Sequence, residues 1–209
     1  MWSWLGRRGA APAIEAVVLM LILLPLVIAF SLPTLWLVAP FALVTLTGRR
    51  YEDYGLSLRN PGSPRFHLTV SVIVFGTYAV LHYAFARWYL GRHFSPALPP
   101  DLPRLVVDQM VLIGLSEEFF FRGYMQTQFN QWLGRPFRFL GATYGPGLIV
   151  AAVLFGLCHL VDGDVTRFRT AFFGLFAGWL RERTGTILVP AAYHGAANLL
   201  ADFMQNSLT

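Results

Sequence analysis

The sequence has no lysine, a single cysteine (Cys158) and few charges of any kind, with 13% Asp, Glu, Lys and Arg among its 209 residues. Soluble domains carry about 25% charged residues. One cysteine excludes a disulfide scaffold and a cysteine-based zinc site. Low charge together with 15% aromatic residues excludes a disordered chain. What is present is apolar: 56% of residues are hydrophobic and the mean hydropathy is +0.53. A water-soluble globule of this size could not hide that much apolar surface. The expected fold class is therefore all-α, a polytopic membrane helical bundle forming one integral membrane domain over residues 1–209. The net charge of +5 comes from arginines scattered between apolar runs, not from one patch. Nucleic acid is accordingly not expected as a partner, and the lipid bilayer is. The Arg-only, Ala/Gly/Pro-rich usage hints at a high-GC prokaryotic genome, and the expected location is a prokaryotic inner or plasma membrane.

Apolar runs predict about seven transmembrane helices. The first spans Ala13 to Phe30 behind Arg7 and Arg8; with no clear small-x-small cleavage site after it, it reads as a retained helix rather than a signal peptide. Continued to Thr47 as one helix, the stretch would be roughly 52 Å long, against about 30 Å of hydrocarbon. A turn at Ser31-Leu32-Pro33 and a return are expected, with a kink at Pro40. Further spans are read at Phe66–Leu90, Arg104–Leu133, Leu148–Val161, Arg167–Arg183 and Thr186–Phe203. The stretch Gly134 to Gly147, with Arg135, Phe137, Arg138 and Phe139, reads as an interfacial loop. With the N-terminus cytoplasmic, ten loop arginines lie inside and five outside, which favours that orientation.

Ionisable residues within a bilayer are costly and default to functional candidates. The fourth span holds Ser116-Glu117-Glu118-Phe119-Phe120-Phe121-Arg122. Glu118 and Arg122, spaced i, i+4, can pair on one face. Glu117 lies about 100° round the helix and stays free to point elsewhere. A self-neutralising Glu–Arg pair explains one glutamate but not two. The fifth span supplies Phe155 and His159, and the seventh supplies His194 and Asn198, each pair at i, i+4. Alone, either histidine reads as a hydrogen-bonded helix residue. Together with the glutamates, they are most economically buried around one polar, water-accessible cavity.

A carboxylate and an imidazole on facing helices can hold a water, with the carboxylate as general base. A His–Asn pair one turn apart offers N–H donors to a developing oxyanion. That combination hydrolyses amide bonds. Three rival chemistries are weighed against it. Glu117, His159 and His194 could ligate a metal, although no His-Glu-x-x-His is present. Ser116 in Gly114-Leu115-Ser116-Glu117 could be a nucleophile, although Glu stands where a rhomboid-type motif has Gly. A Cys158–His159 dyad fails because adjacent helical residues point apart.

Glu117-Glu118-x-x-x-Arg122, Phe155-x-x-x-His159 and His194-x-x-x-Asn198 resemble, in order and spacing, the three motifs of the CPBP family of CAAX proteases and bacteriocin-processing enzymes, also called the ABI family. The resemblance extends through Gly174-Leu-Phe-Ala-Gly178 and Arg183-Thr-Gly185 to Pro190, and covers roughly Leu105 to Leu200. No motif residue departs from the pattern. The resemblance implies an Rce1-like intramembrane glutamate protease with a catalytic core at about 104–203. It implies that Glu117 and His159 activate the water, that His194 and Asn198 form the oxyanion hole, that Glu118 and Arg122 support the site, and that no metal or other cofactor is needed. The implied substrate is a membrane-anchored or lipidated peptide or protein cut near its C-terminus. Relatives that act as non-catalytic binding or immunity proteins supply the alternative.

Overall fold

The computed structural model describes residues 9–57, 61–161 and 163–208. Arg7, Arg8 and Arg59, which contribute to the expected orientation, lie outside the described residues. The described residues are predominantly α-helical and form seven joined helices. They are α1 (Ala11–Phe30), α2 (Leu35–Leu46), α3 (Pro64–Tyr89), α4 (102–133), α5 (Pro146–Cys158), α6 (Thr170–Thr184) and α7 (Leu188–Ser207). By length and composition, α1 and α3 could each cross a bilayer, whereas α2 and α5 are apolar but shorter.

The turn between α1 and α2 falls at Ser31, whose φ of 50° and ψ of 41° end α1 in the left-handed region. Pro40 sits inside α2 without terminating it. α4 changes winding along its length, with π-type turns at Asp108–Leu115 and Phe119–Met125 flanking the α-helical Ser116–Glu118. Such bulges gather at functional sites, and this one brackets the paired glutamates.

Three sequence expectations need correction. The stretch after α4 is not a plain loop: Phe137–Phe139 (β1) pairs antiparallel with Ala142–Tyr144 (β2). Leu140 and Gly141, with φ of 44° and 79°, make the two-residue turn whose twist suits a hairpin. α5 ends at Cys158, so His159 is the residue that caps it rather than a member of the helix. Residues Val165–Arg169 form a separate 3₁₀ turn before α6, started by Asp164. The Asp164 carboxylate accepts from the Thr166 hydroxyl and backbone N–H at 2.7 and 2.9 Å, and these bonds hold its carboxyl below the usual range.

The core lies where α1, α2, α4 and α5 meet. Phe119, Phe120 and Phe121 are all buried. Trp36 packs on Phe120 and Phe121 with ring centroids 4.5 and 5.4 Å away, and Phe121 meets Phe155 edge-on at 5.0 Å. Polar links join the outer helices to α4. Arg49 donates twice to Glu15 at 2.6 and 2.7 Å, Gln128 donates to the same carboxylate at 2.8 Å, and the Tyr124 hydroxyl donates to it as well. On the other side, Gln126 and Asn130 each donate to Glu182 of α6 at 2.8 Å.

Glycines set the helix spacing. A Cβ on Gly174 would stand 3.0 Å from the Ala152 backbone, and one on Gly178 would stand 2.8 Å from Leu148. α4 and α7 cross at Gly114 and Gly195, where a Cβ on Gly195 would meet the Met110 Cα at 2.8 Å. Helix backbones that touch tolerate no added methyl without moving apart. Gly195→Ala is therefore expected to lower stability by about 1–3 kcal/mol. Thermal unfolding in detergent, wild type against variant, measures this, and an unchanged melting temperature would contradict the close crossing.

Candidate active site

The paired glutamates of α4 face different surroundings. Glu118 points inward, and its Oε1 lies 2.9 Å from Arg122 Nη1; both side chains are fully buried. The rest of the Arg122 guanidinium lies over the Phe155 ring, 4.3 Å from its centroid. That contact places a cation against the electron-rich face of an aromatic ring. Glu117 points into a cavity of about 620 Å³ bounded by α3, α4, α6, α7 and the segment that follows α5. Its Oε2 is buried and has no hydrogen-bond donor among the described residues.

His194 of α7 stands between the two carboxylates. Its Nδ1 is 2.8 Å from Glu118 Oε1, and its Nε2 is 3.8 Å from Glu117 Oε2. Glu118, ionised beside Arg122, can only accept, so Nδ1 carries a proton and Nε2 is turned towards the cavity. Phe173 and Phe155 fix the ring at centroid distances of 5.0 and 5.9 Å, the latter edge-on at 90°.

His159, immediately past α5, bonds its Nδ1 to the Phe155 carbonyl at 2.8 Å. A carbonyl only accepts, so this ring too presents Nε2 as its free position. The Phe155 ring packs on it at 4.5 Å. Asn198, one turn beyond His194, lines the same cavity and donates through Nδ2 to Gln109 Oε1 at 2.8 Å.

Glu117, His159, His194 and Asn198 thus line one cavity, and Glu118 and Arg122 lie behind it. The wall also contains residues that sequence reasoning passed over: Tyr78 and Phe75 on α3, Phe173 on α6, and Arg167 and Arg169 on the 3₁₀ turn. Gln109 was legible in principle. Gln109, Ile113 and Glu117 recur every four residues along α4, yet Gln109 carries no charge to draw attention. Among the described residues, no three His, Cys, Asp or Glu side chains are grouped to hold a metal ion. Ser116 is buried, with no hydrogen-bond partner for its hydroxyl among the described residues, and does not line the cavity.

Residues 99–200, a little less than half of the chain, match the family described as type II CAAX prenyl endopeptidase, Rce1-like. The match takes in every motif residue named above and suggests membership of that family. No curated protein and no solved structure matches the chain. The family match and the buried Glu–His contacts are consistent with a Glu/His-type active site.

Breaking a buried pair leaves an uncompensated charge and costs about 3–5 kcal/mol, whereas removing both charges costs far less. Glu118→Gln and Arg122→Gln alone should each destabilise the fold by about that amount. The double variant should recover more than half of the loss. Unfolding curves for the four proteins form the test; additive losses would show that Glu118 and Arg122 do not depend on each other.

Proposed function

We propose that this protein is an intramembrane endopeptidase that hydrolyses a peptide bond of a membrane-anchored or lipidated substrate near its C-terminus, using a water activated by Glu117 and His159. The observation that carries this reading is the convergence of one undonated carboxylate oxygen and two imidazole Nε2 positions on a single cavity, inside the region that matches a prenyl endopeptidase family.

In this mechanism, Glu117 and His159 Nε2 hold the water between them. Glu117 takes its proton as the hydroxide oxygen bonds to the scissile carbonyl carbon. The carbonyl π pair moves onto oxygen, and the oxyanion accepts N–H donors from Asn198 and His194. With Nδ1 committed to Glu118, His194 donates through Nε2 only as the imidazolium, and Glu118 and Glu117 then stand on either side as counter-charges. When the tetrahedral intermediate collapses, the C–N bond breaks and Glu117 returns the proton to the leaving amine.

Placement in a bilayer is part of the same proposal. Several charged and amide side chains are buried beside the aromatic core (Glu118, Arg122, Gln126, Gln128, Asn130), while large apolar side chains of α1 and α3 face outwards. That arrangement suits a lipid surround. The arginine asymmetry favours a cytoplasmic N-terminus. A second groove of about 520 Å³, walled by apolar side chains such as Ile73, Leu148, Phe176 and Trp179, adjoins the cavity, and Val74 lines both. A lipid chain on the substrate would fit that groove while the peptide reaches Glu117.

Purified protein would be incubated with membrane-anchored peptides, one of them S-prenylated near its C-terminus, and the products identified by mass spectrometry. Glu117→Gln keeps the size of the side chain and removes the base, so turnover should fall by about 10² or more with folding preserved. Ser116→Ala and Cys158→Ser should remain active. Near-normal cleavage by Glu117→Gln would overturn the mechanism, and intact peptides in every wild-type reaction would favour a binding role.

The water site as drawn needs no Lewis acid, so cleavage should survive exhaustive chelation. Activity lost on chelation and restored by one added divalent ion would move the assignment to a metal hydrolase using the same side chains.

A further inference from the structure

Asn198 belongs to a directed chain of side chains. Its Nδ2 donates to Gln109 Oε1 at 2.8 Å, and Gln109 Nε2 donates to Asp202 Oδ2 at 3.1 Å. Asn198 and Asp202 lie one turn apart on α7, and Gln109 lies on α4, eight residues before Glu117. The chain therefore spans the α4–α7 contact that also holds His194 against the glutamates.

Its direction is set at the Asp202 end. A carboxylate has no proton to give and only accepts. The Gln109 group that meets it must be the NH₂, and its carbonyl oxygen is then turned towards Asn198. A carbonyl oxygen also only accepts, so Asn198 must present its NH₂ in turn. Two amides without the carboxylate would be indifferent to a joint reversal, because N–H to O=C survives with the roles exchanged. Asp202 removes that indifference, and bonds to an ionised acceptor are about twice as strong as neutral ones.

We propose that Asp202 is a positioning residue that fixes, through Gln109, which edge of the Asn198 amide is offered to the reacting carbonyl. This rests on the hydrolase reading above. One N–H of Asn198 Nδ2 is spent on Gln109, and the second remains for the oxyanion. In the reversed amide, Oδ1 would occupy that place and its partial negative charge would oppose the developing one. Asp202 thus acts on the reaction without touching the substrate.

The test exchanges polarity while keeping shape. Asp202→Asn can still bond to Gln109 but no longer dictates direction. It should lower kcat on the cleaved peptide about tenfold or more, a part of the 10²–10³ that a lost oxyanion donor costs. KM and the melting temperature should hardly move. In the double variant Gln109→Glu, Asp202→Asn, the carboxylate at position 109 accepts from both neighbours, which restores the direction at Asn198, so kcat should recover. Asp202→Asn should add little in an Asn198→Ala background. A residue that merely joins helices would instead shift the melting temperature and leave kcat of the folded protein alone.

Binding of a phosphinic peptide, a stable mimic of the tetrahedral oxyanion, gives a readout without turnover. Wild type should bind it more tightly than the parent peptide, and Asp202→Asn should lose most of that preference. If wild type cleaves and prefers the phosphinic peptide but Asp202→Asn matches it in both, the role of Asp202 is wrong and the hydrolase reading stands. If wild type neither cleaves nor shows the preference, the hydrolase reading falls and this inference falls with it.

Discussion

Arg122 carries a full charge into a region closed to water, and much of the bundle is arranged around its neutralisation. Its guanidinium faces Glu118 at 2.9 Å and the Phe155 ring at 4.3 Å, and Glu118 in turn meets His194 at 2.8 Å. One buried cation thereby ties α4 to α5 and, through Glu118, to α7. A charge so deeply buried is tolerable only with a close counter-charge, so these helices have little freedom in how they approach. The same contact orients the catalytic candidate: with Glu118 committed to Arg122 and His194, the neighbouring Glu117 is left as the carboxylate that faces the cavity.

The close approach depends on residues with almost no side chain. Gly114 and Gly195 let α4 and α7 touch, and Gly174 and Gly178 bring α6 against α4 and α5. These are the contacts that bring Glu117, His194 and Asn198 within reach of each other. Around them, side-chain hydrogen bonds add to the apolar packing: Glu15 gathers Arg49, Tyr124 and Gln128 on one side of α4, and Glu182 gathers Gln126 and Asn130 on another. This set of buried charged and amide groups, beside an aromatic core and beneath the exposed apolar faces of α1 and α3, departs from the soluble arrangement.

Directionality recurs at each candidate. His159 is oriented by a backbone carbonyl, His194 by Glu118, and Asn198 by Gln109 and Asp202. In each case an atom that can only accept determines which donor faces it, and all three side chains line the one cavity. Side chains held in this way need no reorganisation when charge develops, which is where much of the stabilisation of a transition state arises.

The helical class, the seven joined helices and the turn at Ser31 were legible in the sequence, which also pointed to the candidate site residues. Those features follow from local facts: apolar runs, the breaking effect of Pro33, and ionisable residues in places where burial is expensive. The i, i+4 spacing of Glu118 and Arg122 was enough to suggest their pairing, because a helix puts such residues on one face. The hairpin at 137–144 was not legible, since two three-residue strands leave no periodicity. Nor was the end of α5 at Cys158, where the apolar run continues past the last helical residue. Helix packing, which no local pattern shows, puts His194 rather than His159 between the two glutamates and sets Asn198 against Gln109. Glu118 lies 76 residues from His194 along the chain, and Gln109 lies 89 residues from Asn198. Contacts at that separation are set by how helices cross, and the crossing is set by glycines and a buried charge whose partners no local pattern names.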